Sequence, residues 1–377
     1  MKPKIRFKGF EGEWKTSTIG EIAPLQRGYD LPTNNVISGT IPVVYSNGIL
    51  RFHNEGKCQA PAIITGRSGT IGKFTYIDHG EYWPHNTSLW VTTFHKNYPR
   101  FVYYFFQNVG FEKYATGSGV PTLNRNDIHK HIESIPSNKE EQQAIASYFT
   151  TLDSQISAST SRLASLKQMK AASLQAMFPQ EGETVPKIRF KGFKGEWKKV
   201  KADSIFKTFN EKNRPDLPVL SATQDRGMVT RESIGYNIFH DTSNEATYKH
   251  ILPGQFVIHL RSFQGGFAHS EIEGIASPAY TIIDFKNKDL YHDYYWRYVF
   301  MSKEFIKRLE LITYGIRDGR SISYDEFKEM SFLVPSKEEQ IKIASYLKNL
   351  DRQISLQSQR LEKLKQIKSA CLDKMFV

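Results

Sequence analysis

Residues 140–178 read EEQQAIASYFTTLDSQISASTSRLASLKQMKAASLQAMF, and residues 338–376 repeat them as EEQIKIASYLKNLDRQISLQSQRLEKLKQIKSACLDKMF. At this constant offset the two segments share 22 of 39 residues. Neither segment contains Gly or Pro, so each is predicted to form one uninterrupted helix. With a rise of about 1.5 Å per residue, such a helix is roughly 55 Å long.

Apolar side chains in both segments recur in alternating steps of four and three residues. This spacing draws a narrow stripe along each helix for about five heptads. A stripe this narrow needs a second helix to cover it, so we predict that the two copies form an intramolecular coiled coil. The alternative is an ordinary amphipathic helix that lies on a globular core. The predicted seam consists of Ile145, Phe149, Leu152, Ile156, Leu163 and Leu166, together with Ile343, Leu347, Leu350, Ile354, Leu361 and Leu364.

The linker after the first helix predicts the direction of the pair. About 19 residues separate the end of this helix from Trp197. In a parallel pair they would have to span roughly 55 Å, close to their maximum reach of about 65 Å. We therefore expect an antiparallel pair with a globular domain at each end of the rod. The polar seam residues Ser159, Lys170, Gln357 and Lys368 would lower stability while fixing the register, or would mark where another protein covers the seam.

A second repeat precedes each globular region. The segment PKIRFKGF at residues 3–10 recurs letter for letter at 186–193, and GEW at 12–14 recurs at 195–197. We call these stretches the RFKGF segments. The chain is thus a tandem duplication with an expected pseudo-twofold axis. The predicted divisions are an RFKGF segment and first domain at 1–135, a helix at 136–178, a linker, RFKGF segment and second domain at 179–333, and a helix at 334–377.

The two inner regions have diverged more than the repeats around them. Both contain short β-branched and aromatic runs broken by Gly, Pro and Asn, such as residues 41–45 and 256–260. This pattern predicts two α/β (α+β) domains with many strands and long loops. The aromatic segments at 101–106 and 294–300 are predicted to be helices whose rings belong to the core rather than to base-stacking platforms.

Composition narrows the class of protein. The chain has 377 residues, too many for one compact core, and a net charge of +12 that favours a polyanionic partner. Its 2 cysteines form neither a disulfide framework nor a metal-ligand set. We find no apolar run long enough to span a membrane and no signal-peptide core. These features predict a cytoplasmic protein without a metal site and without a membrane partner.

With these repeats in view, the chain resembles the specificity (S) subunit of type I DNA restriction-modification systems. The resemblance covers the RFKGF segments, the two variable domains and the two helices that open on Lys-Glu-Glu-Gln. It implies two target recognition domains, each reading one half of a bipartite sequence in double-stranded DNA, and an antiparallel coiled coil that sets the half-site spacing. It also implies docking of two methyltransferase (modification) subunits, which restriction subunits join, and no cofactor or active site in the chain itself.

The sequence GRSGTIGK at residues 66–73 is the first predicted DNA-binding segment. It does not match a phosphate-binding loop, because five residues rather than four separate Gly66 from Gly72 and Phe74 replaces the magnesium-binding Ser or Thr. It is similar to a segment common in target recognition domains, and LRSFQGG at 260–266 is its counterpart. Arginine suits guanine or phosphate, and Ser and Gln suit base edges or the DNA backbone. The predicted contacts are Arg67, Ser68 and Lys73, with Arg261, Ser262 and Gln264.

For this segment, the alternative is a turn whose arginine pairs within its own domain.

The loop before each long helix is the second predicted DNA-binding segment. In the first half it resembles the family pattern and supplies Thr122, Asn124 and Arg125. The second half departs from that pattern but brings Arg317 and Arg320 to a polar loop, where they suit contact with a groove or a phosphate.

Catalytic motifs are not found in the sequence. It lacks the Asp/Asn-Pro-Pro-aromatic motif of amino-methyltransferases, so we do not expect this chain to methylate bases. His129 and His131 have no Cys or acidic ligand set nearby and are expected to be surface residues. We predict a non-enzymatic DNA-recognition subunit. The alternatives are a nuclease with an unrecognised site and a coiled-coil scaffold that binds only proteins.

Overall fold

The computed structural model describes residues 2–117, 119–223, 226–234, 242–259, 266–312 and 322–377. The chain divides into two units. Unit 1 joins Met1–Ser161 to Gln359–Val377, and unit 2 is Arg162–Ser358. Each unit therefore contains one RFKGF segment, one inner domain, the start of one long helix and the end of the other.

The elements of the first half follow in chain order. The strands are β1 (Lys15–Thr18), β2 (Leu25–Arg27), β3 (Ile41–Tyr45), β4 (Gly48–His53), β5 (Cys58–Gln59), β6 (Ala62–Gly66), β7 (Phe74–Ile77), β8 (Glu81–Pro84), β9 (Ser88–Val91), β10 (Ala115–Thr116), β11 (Thr122–Leu123) and β12 (Ile132–Ile135). The helices are α1 (Ile19–Ile22), α2 (Pro99–Val109), α3 (Arg125–His129) and the long α4 (Lys139–Ala176).

The second half repeats much of this order. Its strands are β13 (Lys198–Lys201), β14 (Phe206–Phe209), β15 (Leu220–Thr223), β16 (Gly227–Thr230), β17 (Lys249–Ile251), β18 (Phe256–Ile258), β19 (Phe267–His269), β20 (Gly274–Ala276), β21 (Thr281–Phe285) and β22 (Ser331–Val334). Its helices are α5 (Ala202–Ile205), α6 (Asp293–Met301), α7 (Lys303–Ile312), α8 (Tyr324–Glu329) and the long α9 (Lys337–Met375).

In the described part of each half, the inner domain is built on a four-stranded antiparallel sheet. Its order is β2-β9-β6-β7 in the first half and β14-β21-β18-β19 in the second. Every neighbouring pair in both sheets is antiparallel. The inner domains thus keep one sheet topology although their sequences have diverged.

An aromatic helix packs against each of these sheets. Helix α2 contacts β6 and β7, and α6 contacts β19. Pro99 opens α2 and Gly110 ends it with a φ of 69°, a left-handed value that glycine adopts without strain. Rings on both helices, such as Phe101 and Trp296, are fully buried. The prediction of two helices with core aromatics is confirmed.

The outer strands differ between the halves. In the first half they form a second sheet of order β4-β3-β8-β5, in which β3 and β8 are parallel. In the second half the described strands form separate two-stranded sheets, β15-β16 and β17-β20. The inner domains therefore share a base and vary in the layer above it.

A two-stranded antiparallel sheet leads into each long helix. Strand β1 pairs with β12, and β13 pairs with β22, so the beginning and end of each inner domain lie side by side. Asn138 Oδ1 accepts the Glu141 backbone N–H at 2.9 Å, and Ser336 Oγ accepts that of Glu339 at 3.4 Å. These side chains satisfy N–H groups that a helix leaves unpaired in its first turn.

The predicted seam is buried or half-buried along both long helices. Exposed positions lie between the seam residues, as a narrow apolar stripe requires. The first turns of each helix also pack on an inner domain, because Ile145 and Phe149 lie in one core with α2 while Ile343 and Leu347 lie in one core with α6. The last turns do so as well, because Leu174 packs against the core with α6 and Leu372 against the core with α2. The amphipathic alternative therefore describes both ends of each helix.

The contacts within each unit give the direction of the helices. In unit 1, Tyr148 Oη lies 3.3 Å from Cys371 Sγ, and further along α4 Asp153 pairs with Lys368, which precedes Cys371. In unit 2, Lys170 pairs with Asp351, and later on α4 Ser173 meets Tyr346. As the residue number rises on one helix it falls on the other. The prediction of an antiparallel pair is confirmed.

The lysines of the seam are paired inside the protein. Lys368 Nζ lies 2.6 Å from Asp153 in unit 1, and Lys170 Nζ lies 2.5 Å from Asp351 in unit 2. The same two aspartates accept hydrogen bonds from tyrosine hydroxyls, at 2.9 Å from Tyr104 and 2.8 Å from Tyr298. Each Lys–Asp–Tyr triad links α4, α9 and an inner domain, so it can fix the helix register without another protein.

The RFKGF segments hold the far ends of the helices. The Ile5 backbone N–H donates to the carbonyl of Lys374 at 2.9 Å, and that of Ile188 donates to Ala176, also at 2.9 Å. Lys374 lies in the last turn of α9, and Ala176 is the last residue of α4. Each segment therefore binds the helix that arrives from the other half of the chain.

Candidate nucleic-acid interface

The two predicted DNA-binding segments of the first half lie side by side. The Gly69 N–H donates to the Pro121 carbonyl at 2.9 Å, and the Leu123 N–H donates to the Arg67 carbonyl at 2.8 Å. Ser68 and Thr122 form a β-bridge between these bonds. Segments more than 50 residues apart in sequence are thus joined into one small ladder.

The backbone at Arg67 is held on both sides. Arg67 follows β6, whose five residues are all buried. Gly66 precedes it because a Cβ there would collide with the carbonyl of Thr70. The N–H groups of Arg67 and Ser68 both donate to the Thr87 carbonyl, at 2.9 and 3.3 Å. The arginine therefore projects from a rigid support rather than from a free loop.

This ladder forms one wall of a cleft of about 730 Å³. The other wall is the end of β2 and the residues after it, including Arg27, Tyr29 and Asp30. Thr122, Asn124 and Arg125 also line the cleft. The structure thus brings together most of the first-half residues that the sequence predicted, and adds four polar residues that it did not, Gln26, Arg27, Tyr29 and Asp30.

The cleft carries excess positive charge. Within the described part of the chain, the side chains of Arg67 and Arg125 make no hydrogen bond and no ion pair, and Arg27 lies 3.9 Å from Asp30. Three arginines thus face one carboxylate. The alternative, that Arg67 pairs within its own domain, is not what the described residues show. Unpaired guanidinium groups in a concave surface suit phosphate or base edges.

Other predicted residues make contacts of their own. Lys73 does not line the cleft, and its Nζ donates to the Asn47 carbonyl at 2.7 Å. Asn124 caps α3, because its side chain accepts the N–H of Asn126 at 3.0 Å. The Thr122 hydroxyl lies 3.4 Å from the Val120 carbonyl. Asn124 and Thr122 thus have structural roles beside any contact with a ligand.

Arg27, Tyr29 and Asp30 are candidate residues that sequence reasoning did not single out. They surround Gly28, where a Cβ would collide with the carbonyls of Pro84 and His85. The Tyr29 N–H donates to the Pro84 carbonyl at 2.8 Å, which turns the chain into the cleft. An Arg-Gly-Tyr-Asp run directly after a short strand was the available signal.

Only part of the corresponding surface of unit 2 lies within the described residues. Arg261, Ser262, Gln264, Arg317 and Arg320 lie outside the described residues. Strand β14 occupies the place of β2, and Asn210 and Glu211 follow it. Glu211 lies 3.3 Å from the ring of buried His250, whose other nitrogen lies 2.8 Å from Glu273. Of this surface, the described residues thus show Glu211 after β14, while the counterparts of Arg67 and of the Arg125 loop lie outside them.

The two histidines considered as metal ligands have structural partners. His129 Nε2 accepts the Leu25 N–H at 2.8 Å, and burial together with the charge of Arg125 lowers the pKa of its ring. His131 lies 2.8 Å from both the Tyr114 hydroxyl and Glu133. Both side chains are half-buried at the edge of the domain, where these hydrogen bonds hold them. Within the described residues, no cluster of His, Cys, Asp and Glu could hold a metal ion.

Comparison with known proteins supports the interpretation of the fold. The family model for the type I restriction modification DNA specificity domain matches twice, at residues 11–168 and 194–366. The chain therefore belongs to this family, and it is a DNA-recognition subunit rather than an enzyme. No curated protein sequence matches the chain. Among the helices of the described residues, none has the length and apolar character needed to cross a membrane.

Solved structures share the fold. The crystal structure of the type I restriction-modification S subunit from M. genitalium matches with a TM-score of 0.68 at 15% identity, over 100% of this chain and 99% of that one. A chain from a study of complex assembly and conformational transition of the type I R-M system matches with a TM-score of 0.51 at 14% identity, over 97% and 98%. At these identities the likeness concerns the fold alone.

Proposed function

We propose that the chain reads a bipartite, asymmetric DNA target, with one half-site for each inner domain. The cleft of unit 1, in which Arg67 and Arg125 have no side-chain partner among the described residues, is the observation that carries this proposal. The different arrangement of the described outer strands in the two inner domains supports two unlike half-sites. In unit 1 the proposed contacts are Arg67, Ser68, Thr122, Asn124 and Arg125, with Lys73 outside the cleft; in unit 2 they are Arg261, Ser262, Gln264, Arg317 and Arg320.

The long helices supply the mechanics of the proposal. A stiff pair of roughly 55 Å would hold two readers about one to one and a half turns of DNA apart. Because the repeats offer the same surface twice, they suit two copies of one partner, the methyltransferase subunit. Restriction subunits would join this core. We propose that the complex acts in the cytoplasm.

Mapping of methylated adenines tests this function. The chain is expressed with its methyltransferase in a host, and the methylated sites are sequenced. We expect one two-part motif. Arg67→Ala and Arg125→Ala should weaken or relax one half of it and leave the other half unchanged. Lys96→Ala, an exposed lysine outside the cleft, is the control for loss of one positive charge.

Two results would contradict the proposal. If both arginine variants leave both half-sites unchanged, the cleft does not meet DNA. If the wild-type complex shows no sequence preference across random duplexes in fluorescence anisotropy, the chain does not read DNA, and only the protein-binding scaffold is left. That scaffold is the second candidate function.

A further inference from the structure

We propose that the cleft of unit 1 reads one G·C base pair from the major groove, with Arg67 on the guanine and Asp30 on the cytosine of the same pair. This inference rests on the proposed function, because it requires that the cleft meet DNA. It adds the identity of a base pair and gives Asp30 a role in specificity.

The hydrogen-bonding groups on the base edges determine which side chains can recognise a G·C pair. In the major groove, guanine presents two acceptors, N7 and O6, and cytosine presents the N4 amino donor. A G·C pair is therefore recognised by a side chain with two parallel N–H donors, for guanine, next to a side chain that only accepts hydrogen bonds, for cytosine. An arginine and an ionised carboxylate have these properties.

Arg67 meets the first requirement. Its backbone N–H and carbonyl are both engaged, with Thr87 and Leu123, so the base of the side chain is fixed. Among the described residues, its guanidinium has no partner, and all its donors remain available for a ligand. A forked donor on a fixed support loses little freedom when it binds two acceptors at once.

Asp30 meets the second requirement. Asn86 Nδ2 donates to its Oδ1, and Arg27 Nη2 lies 3.9 Å from the same oxygen. Oδ2 has no partner among the described residues. Asn86 thus orients the carboxylate and leaves one oxygen free to accept a hydrogen bond from an amino group. Asp30 is mostly exposed, and no described ion pair joins it to Arg67, so both side chains remain available.

Gln26 is the competing reader in this cleft. Its side chain is exposed, and glutamine suits adenine through N6 and N7. The geometry favours Arg67 because its backbone is anchored on both sides and its side chain is half-buried. If the position whose base preference changes in Arg67→Ala holds an A·T pair, that pair would therefore be read by Gln26.

The experiment uses the full chain with its methyltransferase and duplexes that carry the mapped motif. In one half-site, each guanine is replaced in turn by 7-deazaguanine, which lacks the N7 acceptor. We expect one such replacement to weaken wild-type binding on the order of 10-fold. It should have little further effect on Arg67→Ala. Asp30→Asn, which keeps the shape of the side chain, should reduce discrimination against other pairs at that position by a similar factor.

The outcomes separate this inference from the proposed function. If Arg67→Ala and Arg125→Ala weaken binding but base preference at every position stays unchanged, the cleft binds DNA and the inference is overturned. An A·T pair at the responding position also overturns it. If neither arginine variant alters binding, the proposed function fails and the inference fails with it. Lys96→Ala again controls for charge.

Discussion

The RFKGF segments of units 1 and 2 make the same ion pair with the first turn of a long helix. Arg6 donates two hydrogen bonds to Glu141, of 2.7 and 2.8 Å, and Arg189 donates two of 2.7 Å to Glu339. Both glutamates are almost fully buried. Together with the triads and the paired strands, these contacts form a frame that the two units share. Because buried charges tolerate few replacements, duplication leaves this frame nearly unchanged.

The surfaces above the frame differ. In unit 1 the outer strands form one sheet, and the cleft presents arginines. In unit 2 the described outer strands form two separate sheets, and Glu211 binds His250 at the corresponding place. Exposed side chains on strand ends carry little of the folding energy, so they can change without cost to the frame. The comparison thus separates a conserved support from two variable readers.

The largest expected effect is loss of the frame arginine. Arg6→Ala and Arg189→Ala each leave a buried carboxylate without its cation, which costs about 3–5 kcal/mol. Trp14 Nε1 also donates to Glu141, at 3.2 Å, whereas the matching indole nitrogen of Trp197 has no described partner. We therefore expect Arg189→Ala to be the more harmful by about 1 kcal/mol. Unfolding in guanidinium chloride, with hydrogen exchange followed separately in each unit, measures the loss of stability in both variants.

Lys8→Ala and Lys191→Ala are the matched controls, because they are exposed residues at equivalent positions of the two RFKGF segments. They should change stability by less than about 0.5 kcal/mol. If either arginine variant behaves like these controls, the ion pair does not hold the frame. Equal losses in the two units would mean that the Trp14 hydrogen bond contributes nothing.

The triads are expected to contribute less. Lys368→Met in unit 1 and Lys170→Met in unit 2 each remove a half-buried cation from an aspartate that a tyrosine still binds. We expect each to lower the free energy of unfolding by about 1–2 kcal/mol. A double-mutant cycle with Asp153→Asn or Asp351→Asn measures the coupling in each unit. Unequal coupling would show that the two triads are not equivalent parts of one frame.

A helix cap offers a smaller contrast between the units. Asn124 caps α3 in unit 1, whereas Ser323 stands at the start of α8 in unit 2 and makes no capping hydrogen bond with its side chain. Asn124→Ala should therefore cost about 1 kcal/mol, and Ser323→Ala should be nearly neutral. Thermal unfolding without DNA compares the two variants. A neutral Asn124→Ala would leave DNA contact as the main role of that residue.

The sequence predicted the frame well because the segments that form it contain periodic patterns and exact repeats. Heptad spacing located the seam, and linker length predicted the antiparallel direction. The pairing of Arg6 with Glu141 was not foreseen, because nothing in a sequence joins residues 135 positions apart. Asp30 was missed for the same reason. Its value as an acceptor depends on Asn86, which the fold brings to it from another strand connection.

The smallest expected effect concerns the pH dependence of the free energy of unfolding. One variant should reduce this dependence in unit 1 and leave it unchanged in unit 2. The Leu25 N–H donates to His129 Nε2, which must be unprotonated to accept it. Burial first, and then the charge of Arg125, holds the pKa of this ring below its ordinary value of 6.5. Because the unfolded chain then takes up the proton at a higher pH, stability should fall as the pH drops below about 6.5, until the folded-state pKa is reached. Burial likewise lowers the pKa of His292 in unit 2. His129→Gln should therefore flatten the decline between pH 7.5 and 5.5 for unit 1 alone, as measured by guanidinium unfolding with unit-resolved hydrogen exchange. An unchanged slope would show that this histidine titrates alike in the folded and unfolded chain.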